Sequence, residues 1–219
     1  MTRKIVLAAA VLLLLSFLSC SSTSTDTVVK DRICDRECLG GFITQYLEAM
    51  MARTPERLPL AEGTRFTENC IELQIGEGLW KNFSGLTDYR RDILDVREGN
   101  AVSFLVVEEN DRQVLFVIRL KITDNLISEI ETQVVRSREE GMLFNLDNLK
   151  TVTEMMAYVP SPDQLNSREE MIEMALTYPE GLRVGSFMKV DSPMAEDAFR
   201  YENGQLMAGP GCTFFPGSR

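Results

Sequence analysis

The middle of the chain shows the clearest alternation of apolar and polar positions. Apolar side chains occupy every second position in 102–106 and in 114–120, and they recur through 126–134. Short polar stretches at 108–112 and 123–125 separate the three segments. Alternation places one set of side chains on one face of a sheet, and tight polar turns join antiparallel strands. The pattern predicts a curved antiparallel sheet in which the apolar positions of 102–106 and 114–120 both face inward.

Residues 34–52 have the spacing of an amphipathic helix, because apolar side chains recur at intervals of three and four. These side chains are Leu39, Phe42, Ile43, Tyr46, Leu47, Met50 and Met51. Two prolines in 54–63 end the helix, and imperfect alternation in 65–75 predicts a short strand. A glycine-rich turn at 76–78 then precedes Trp80. We expect the helix to cover the inward face of the sheet, which gives an α+β fold.

An internal repeat relates residues 59–73 to residues 193–207 without a gap. The two segments, PLAEGTRFTENCIEL and PMAEDAFRYENGQLM, share one Pro, one Ala, two Glu and one Asn, and a helical pattern precedes each copy. Only the first copy continues into a sheet. We therefore expect a complete domain over 34–136, a connecting helix and linker over 137–166, and an incomplete second repeat over 167–219.

The first 20 residues have the features of an export signal. Two basic residues precede an uncharged stretch of 15 residues, 5–19, which is short for a membrane span and typical of a signal peptide. Ser19-Cys20 resembles the site at which bacterial lipoproteins are cleaved and lipidated, and a polar tether follows over 20–33. We expect a lipid anchor at Cys20 in the cell envelope, at the outer membrane if the host is Gram-negative. Plain secretion and a permanent anchor helix are the alternatives.

The charge balance excludes several classes of function. The chain has 33 Asp and Glu against 23 Lys and Arg, a formal net charge of −10, and no histidine. Such an acidic chain is not expected to bind nucleic acid. Without histidine there is no Ser-His-Asp or Cys-His catalysis and no His-ligated zinc. We predict no metal and no cofactor, and leave a homodimer open.

Four cysteines follow Cys20, and in an exported protein they are expected to form disulfides. They are Cys34, Cys38, Cys70 and Cys212. Cys34 and Cys38 lie four residues apart on the predicted helix with side chains pointing the same way. We expect them to form disulfides with cysteines elsewhere in the chain, at least one of them with Cys70 or Cys212, rather than with each other.

The order of these elements resembles the nuclear transport factor 2-like superfamily, which includes SnoaL-like proteins. The segments RFTENCIELQIGEGLW, TDYR and VIRLKITDNLISEIETQVVR are similar to an uncharacterised family of exported fungal and bacterial proteins, and AFRYENGQLMAGPGC resembles that family's C-terminal half. The resemblance covers roughly 34–215. It implies a cone-shaped cavity between sheet and helices, often a ligand site, but no particular reaction. The superfamily's familiar dehydratases and cyclases use His-Asp pairs, which this chain lacks.

Three residues are candidates for a site in that cone. Glu68 ends the short strand, and a carboxylate in an apolar interior could act as a base. The alternative is that the Glu68-Asn69 pair holds a turn through hydrogen bonds to the backbone. Trp80 and Tyr89 could contact a ligand, although a single Trp more often belongs to a core.

These features together predict an exported, lipid-anchored envelope protein that binds a small apolar ligand or a protein partner. The absence of histidine favours binding over catalysis. The alternative is a His-independent lyase or isomerase in which Glu68 is the base and Tyr89 a hydrogen-bond donor.

Overall fold

The computed structural model of the protein describes residues 34–192, 194–195 and 197–213. The predicted signal peptide, the lipidation site at Cys20 and the polar tether lie outside these residues. Within the described residues, no helix is both long enough and apolar enough to cross a membrane.

The long helix α1 (Arg36–Ala52) forms where the apolar spacing predicts it. The Asp35 side chain caps its first turn by accepting a hydrogen bond from the Cys38 amide. Arg53, with a φ of 55°, ends it in the left-handed conformation. The buried face consists of Leu39, Phe42, Ile43, Tyr46, Leu47, Ala49 and Met50.

Six strands form a single sheet in the order β2-β1-β6-β5-β4-β3. They are β1 (Leu60–Glu68), β2 (Ile71–Leu73), β3 (Phe83–Asp95), β4 (Asn100–Glu109), β5 (Arg112–Thr123) and β6 (Leu126–Val135). All neighbours are antiparallel except β1 and β6, which are parallel. A short helix, α2 (Leu79–Asn82), joins β2 to β3. The predicted α+β class with a curved sheet covered by a helix is confirmed.

The inward face of β4 is not the one that the alternation predicted. Leu105 pairs with Phe116, and both belong to the core under α1, whereas Phe104 pairs with Val117 on the opposite face. The prediction that 102–106 and 114–120 present their alternating apolar residues to the same face is therefore wrong for β4. Both sets of side chains in β4 are apolar, so alternation alone does not show which set faces α1.

The face of the sheet away from α1, called here the outer face, is covered by the chain that follows β6. This C-terminal segment (136–213) contains α3 (Arg138–Gly141), α4 (Glu154–Ala157), α5 (Arg168–Val184) and the hairpin of β7 (Arg200–Glu202) and β8 (Gln205–Ala208). Its apolar residues Phe144, Leu146, Leu149 and Val152 pack on Tyr89, Val106 and Leu115 of the outer face. An ion pair of 2.7 Å between Arg168 and Asp95 joins the start of α5 to the end of β3. The C-terminal segment thus removes Tyr89, Val106 and Leu115 from water on the face opposite α1.

Both segments of the internal repeat form hairpins in the same register. Glu68 pairs with Ile71 across the β1–β2 turn, and Glu202 pairs with Gln205 across the β7–β8 turn. In each hairpin the Asn after the Glu takes a positive φ. The two turns, 68–71 and 202–205, therefore have equivalent local structure, whereas β1 extends back to Leu60 and β7 only to Arg200.

The disulfide prediction is wrong in its pairing, because Cys34 and Cys38 are bonded to each other. Cys34 precedes the N-cap of α1 and is not helical, so the chain brings its Cα to 5.2 Å from that of Cys38, within the range a disulfide spans. Cys70 is an exposed free thiol on the β1–β2 turn, and the Cys212 thiol donates a hydrogen bond to the Leu206 carbonyl.

Candidate functional site

A cavity of about 380 Å³ lies between the outer face of the sheet and the C-terminal segment. Its floor is formed by strands β3 to β6. Its roof is formed by residues 148–156 and by the turn between β7 and β8. The volume lies at the lower end of the range common for small-molecule sites.

Four cross-strand neighbours make up most of the floor. Arg91 in β3 pairs with Phe104 in β4, Phe104 with Val117 in β5, and Val117 with Gln133 in β6. Paired residues on adjacent strands point to the same face, so the four side chains form one row across the sheet. Tyr89 and Leu115 extend the floor beside this row. The row is polar at its two ends and apolar in the middle.

The roof is held in place by the second hairpin. The Asn145 amide donates to the Asn203 carbonyl at 2.9 Å, and the Asn148 side chain donates to the Gly204 carbonyl at 2.9 Å. Gly204 has a φ of 79°, and a Cβ at this position would lie 1.9 Å from the Asn145 carbonyl oxygen. Only glycine fits both the turn and this close approach. Tyr201, Leu149 and Met156 complete the roof.

Arg91 is the only charged residue among the described residues that line the cavity. It is half-buried and makes no hydrogen bond or ion pair with any described residue. Its neighbour Tyr89 is 7% exposed. Burial raises the pKa of the Tyr89 hydroxyl, and the positive charge of Arg91 partly offsets this effect. The Tyr89 hydroxyl is therefore protonated at neutral pH and can donate a hydrogen bond.

The structure does not bring Trp80 and Tyr89 into one site. Tyr89 lies on the outer face, whereas Trp80 is 3% exposed in the core on the α1 side. The Trp80 indole nitrogen donates to the Tyr46 hydroxyl at 2.7 Å, and the two rings pack edge to face. The polar atom of the indole is thus satisfied within the protein.

Glu68 is also buried, at 9% exposed, but it does not line the cavity. One carboxylate oxygen accepts a hydrogen bond from the Leu79 backbone amide, with an N–O distance of 2.9 Å. The other oxygen lies 3.7 Å from a guanidinium nitrogen of Arg136. Arg136 also binds Glu109 through two hydrogen bonds of 2.6 and 3.0 Å. The adjacent Asn69 side chain both donates to and accepts from the backbone of Val134. These contacts tie the β1–β2 hairpin to α2 and to the end of β6.

Of the residues that form the cavity, sequence reasoning named Tyr89 as a candidate and missed the others, among them Arg91, Phe104, Val117 and Asn203. Two signals could have indicated them. The first is that β4 is apolar at both alternations, which is typical of a strand covered on both faces. The second is Asn203-Gly204, a strong hairpin signal in a part of the chain with few other strand patterns. Within the described residues, no cluster of three or more Cys, Asp or Glu could hold a metal ion.

No family model matches the chain, and no curated protein matches it. Among solved structures, the chain is similar to PrhC from Penicillium brasilianum, with 15% identity over 48% of this chain and 84% of that chain and a TM-score of 0.37. An NTF2-like protein of unknown function from Cytophaga hutchinsonii matches at 9% identity over 46% of this chain and 91% of its own, with a TM-score of 0.36. A de novo designed protein with a curved β-sheet matches at 14% identity over 48% of this chain and 91% of its own, with a TM-score of 0.35.

Such low identities and TM-scores carry no information about a ligand or a reaction. Over residues 36–135 the chain itself shows one long helix packed on a curved six-stranded sheet, and membership of the nuclear transport factor 2-like superfamily stays a prediction from the sequence.

Proposed function

We propose that this chain binds a small, largely apolar ligand in the cavity between the outer face of the sheet and the C-terminal segment. The observation that carries the proposal is the cavity itself, with a floor that is apolar in its middle and a roof held by a second hairpin. The cone between α1 and the sheet is filled by fully buried side chains, among them Tyr46, Phe66 and Phe116. The site proposed here therefore lies on the opposite face from the one expected of the fold.

The floor can supply binding energy through burial. Phe104 is 40% exposed, which is unusual for a large apolar side chain in the middle of a sheet. A phenyl-sized group that covers it buries about 200 Å², and this contributes about 5 kcal/mol at about 25 cal/mol per Å², before the cost of association. Tyr201 and Met156 supply aromatic and polarisable surface from the roof. An occupant with a flat apolar body fits this composition.

Catalysis is less well supported than binding. Both carboxylate oxygens of Glu68 face partners within the protein, the Leu79 amide and the Arg136 guanidinium. A general base needs access to a substrate proton, and Glu68 lies outside the cavity. An enzyme that uses Glu68 stays a prediction from the sequence.

Export and lipid anchoring at Cys20 are part of the proposal and rest on the sequence of residues 1–20 alone. A Cys20→Ala variant is expected to leave the membrane fraction or to accumulate as an unprocessed precursor. A processed variant that remains in the membrane fraction would contradict the anchor.

Native mass spectrometry of protein purified from its host tests the binding proposal. Wild type is expected to retain a small molecule that denaturation releases. A Val117→Trp variant fills the floor of the cavity and is expected to lose that molecule. Val102→Trp is the matched control, because Val102 lies on the same face of the adjacent strand but does not line the cavity. Equal retention by both variants would place the ligand elsewhere.

A further inference from the structure

We infer that the ligand of this cavity carries an anionic group that is bound by Arg91 beside an apolar or aromatic body. The inference rests on the proposed function, since it specifies the chemistry of the ligand for the same cavity.

The charge of the cavity is opposite to that of the chain. Asp and Glu outnumber Lys and Arg by 33 to 23 in the whole sequence, yet no acidic residue is among the described residues that line the cavity. Arg91 supplies a single positive charge there. A cation without a carboxylate beside it, partly removed from water, attracts an anion more strongly than an exposed cation does.

The other arginines near the site already have partners. Arg119, on the same face in β5, donates to Glu131 at 2.8 Å. Arg200, at the start of β7, donates to Glu202 at 2.7 Å. Arg91 differs from both, because its guanidinium makes no hydrogen bond or ion pair within the described part of the chain. Its donors are free to bind a carboxylate, sulfonate or phosphate.

Tyr89 adds a neutral donor next to this charge. Its hydroxyl makes no hydrogen bond with any described residue, and its ring belongs to the floor. One anionic oxygen could accept from Arg91 while a second accepts from Tyr89. The apolar remainder of the ligand would then cover Phe104 and Val117, the next members of the cross-strand row.

Four strands at about 4.8 Å spacing give this row a length of about 14 Å. An anion at the Arg91 end therefore leaves room for an aromatic ring on a short chain. This geometry favours an amphipathic monoanion over a compact ion such as inorganic phosphate, which would leave Phe104 uncovered.

Isothermal titration calorimetry with two matched probes tests the inference at pH 7.5 and low salt. The probes are 4-phenylbutanoate and 4-phenylbutan-1-ol, which share the ring and the chain and differ in the charged end group. Wild type is expected to bind the carboxylate about tenfold or more tightly than the alcohol, because hydrogen bonds to charged groups are the stronger ones. Arg91→Gln is expected to remove this preference while still binding the alcohol.

Arg112→Gln is the matched control, since Arg112 is exposed at the start of β5 and lies outside the cavity. It loses the same charge and is expected to keep the tenfold preference. Equal affinity of wild type for the two probes, or a preference that survives Arg91→Gln, overturns the inference and leaves the proposed function standing. Failure of wild type to bind either probe counts against the proposed function as well.

Discussion

Asn69 and Asn203 occupy equivalent positions in two hairpins and have nearly the same backbone conformation, with φ of 49° and 47°. The residue that follows also has a positive φ in each case, 65° at Cys70 and 79° at Gly204. Two successive residues of positive φ form the turn that joins strands most compatibly with their twist. The two hairpins differ in what they contact, because the first contacts the end of β6 and the second forms the roof of the cavity.

Gly204→Ala is expected to undock the second hairpin. The added Cβ would clash with the Asn145 carbonyl, and alanine is strained at this φ. We expect docking of the roof to weaken by about 2–3 kcal/mol. Hydrogen exchange should show faster exchange at Asn145 and its neighbours, with no change in β4 and β5.

Cys70→Gly is the matched change in the first hairpin and is expected to act in the opposite direction. Cys70 is exposed, and its positive φ is strained for a residue with a Cβ but not for glycine. We expect a gain of about 0.5–1 kcal/mol in the free energy of unfolding. If both substitutions destabilise to the same extent, the backbone argument is wrong.

Glu68→Gln is expected to lower the free energy of unfolding by about 1–3 kcal/mol. The substitution removes the negative charge beside Arg136, and an amide group cannot accept with both of its polar atoms. Denaturant unfolding measures the change.

Glu129→Gln is its control, because Glu129 pairs with Arg119 at a half-exposed position. Exposed pairs contribute little, so a loss of no more than about 0.5–1 kcal/mol is expected. A stable Glu68→Gln protein would show that the contacts of Glu68 are unimportant for folding and would reopen its assignment as a base.

The buried hydroxyl of Tyr46 is expected to lower the free energy of unfolding at alkaline pH. Burial raises the pKa of its hydroxyl, the hydrogen bond from Trp80 opposes this shift, and the negative charge of Glu68 adds to it. The folded state therefore holds this proton more tightly than the unfolded state, in which the pKa is about 10. The contribution of the protonated Tyr46 hydroxyl to the free energy of unfolding is complete below about pH 10. It is lost as the pH rises from there towards the folded-state pKa. Thermal melts between pH 8 and pH 11 measure it.

Tyr46→Phe is expected to flatten that alkaline dependence while costing about 1 kcal/mol at neutral pH through the lost acceptor for Trp80. Tyr158→Phe is the control, because Tyr158 is 58% exposed. If Tyr158→Phe changes the alkaline slope as much as Tyr46→Phe does, burial of Tyr46 is not its origin.

The Cys34–Cys38 bridge is expected to contribute only modestly to stability. In the chain-entropy model a loop this short contributes about 2 kcal/mol, less than the bridge to Cys70 or Cys212 that the sequence suggested. The double variant Cys34→Ser, Cys38→Ser should therefore fold. A digest without reductant should yield one peptide pair that joins Cys34 to Cys38, with Cys70 open to alkylation before denaturation. A peptide that joins either residue to Cys70 would contradict the bridge.

Local periodicity was enough to predict α1 and the presence of β4, β5 and β6, because apolar residues recur at regular intervals in each, but it assigned the wrong face of β4 to the core under α1. It did not reveal β3. That strand places Arg90 and Asp92 towards α1, where they bind each other, and Arg91 on the outer face. An ion pair on one face and an arginine on the other leave no apolar alternation in the sequence, although the strand is 13 residues long.

The cavity was beyond prediction for a different reason. Its floor comes from four strands, and its roof from two separate later segments, residues 148–156 and 201–204. Sequence can identify Asn203-Gly204 as a turn, but the place where that turn docks depends on hydrogen bonds that its carbonyls accept from the Asn145 backbone amide and the Asn148 side chain. Trp80 and Tyr89 lie nine residues apart in the sequence, yet they lie on opposite faces of the sheet.

Because the second hairpin forms its roof, the cavity lies between two parts of the protein that differ in stability, the six-stranded sheet and the C-terminal segment. The floor belongs to a six-stranded sheet, whereas the roof is attached through two short strands, a few hydrogen bonds and α5, which buries only Gly181 among its residues. An occupant that touches both parts adds its binding free energy to the docking of the roof. Occupancy of the site and protection of residues 141–213 from exchange and proteolysis are therefore linked quantities, and each can be measured through the other.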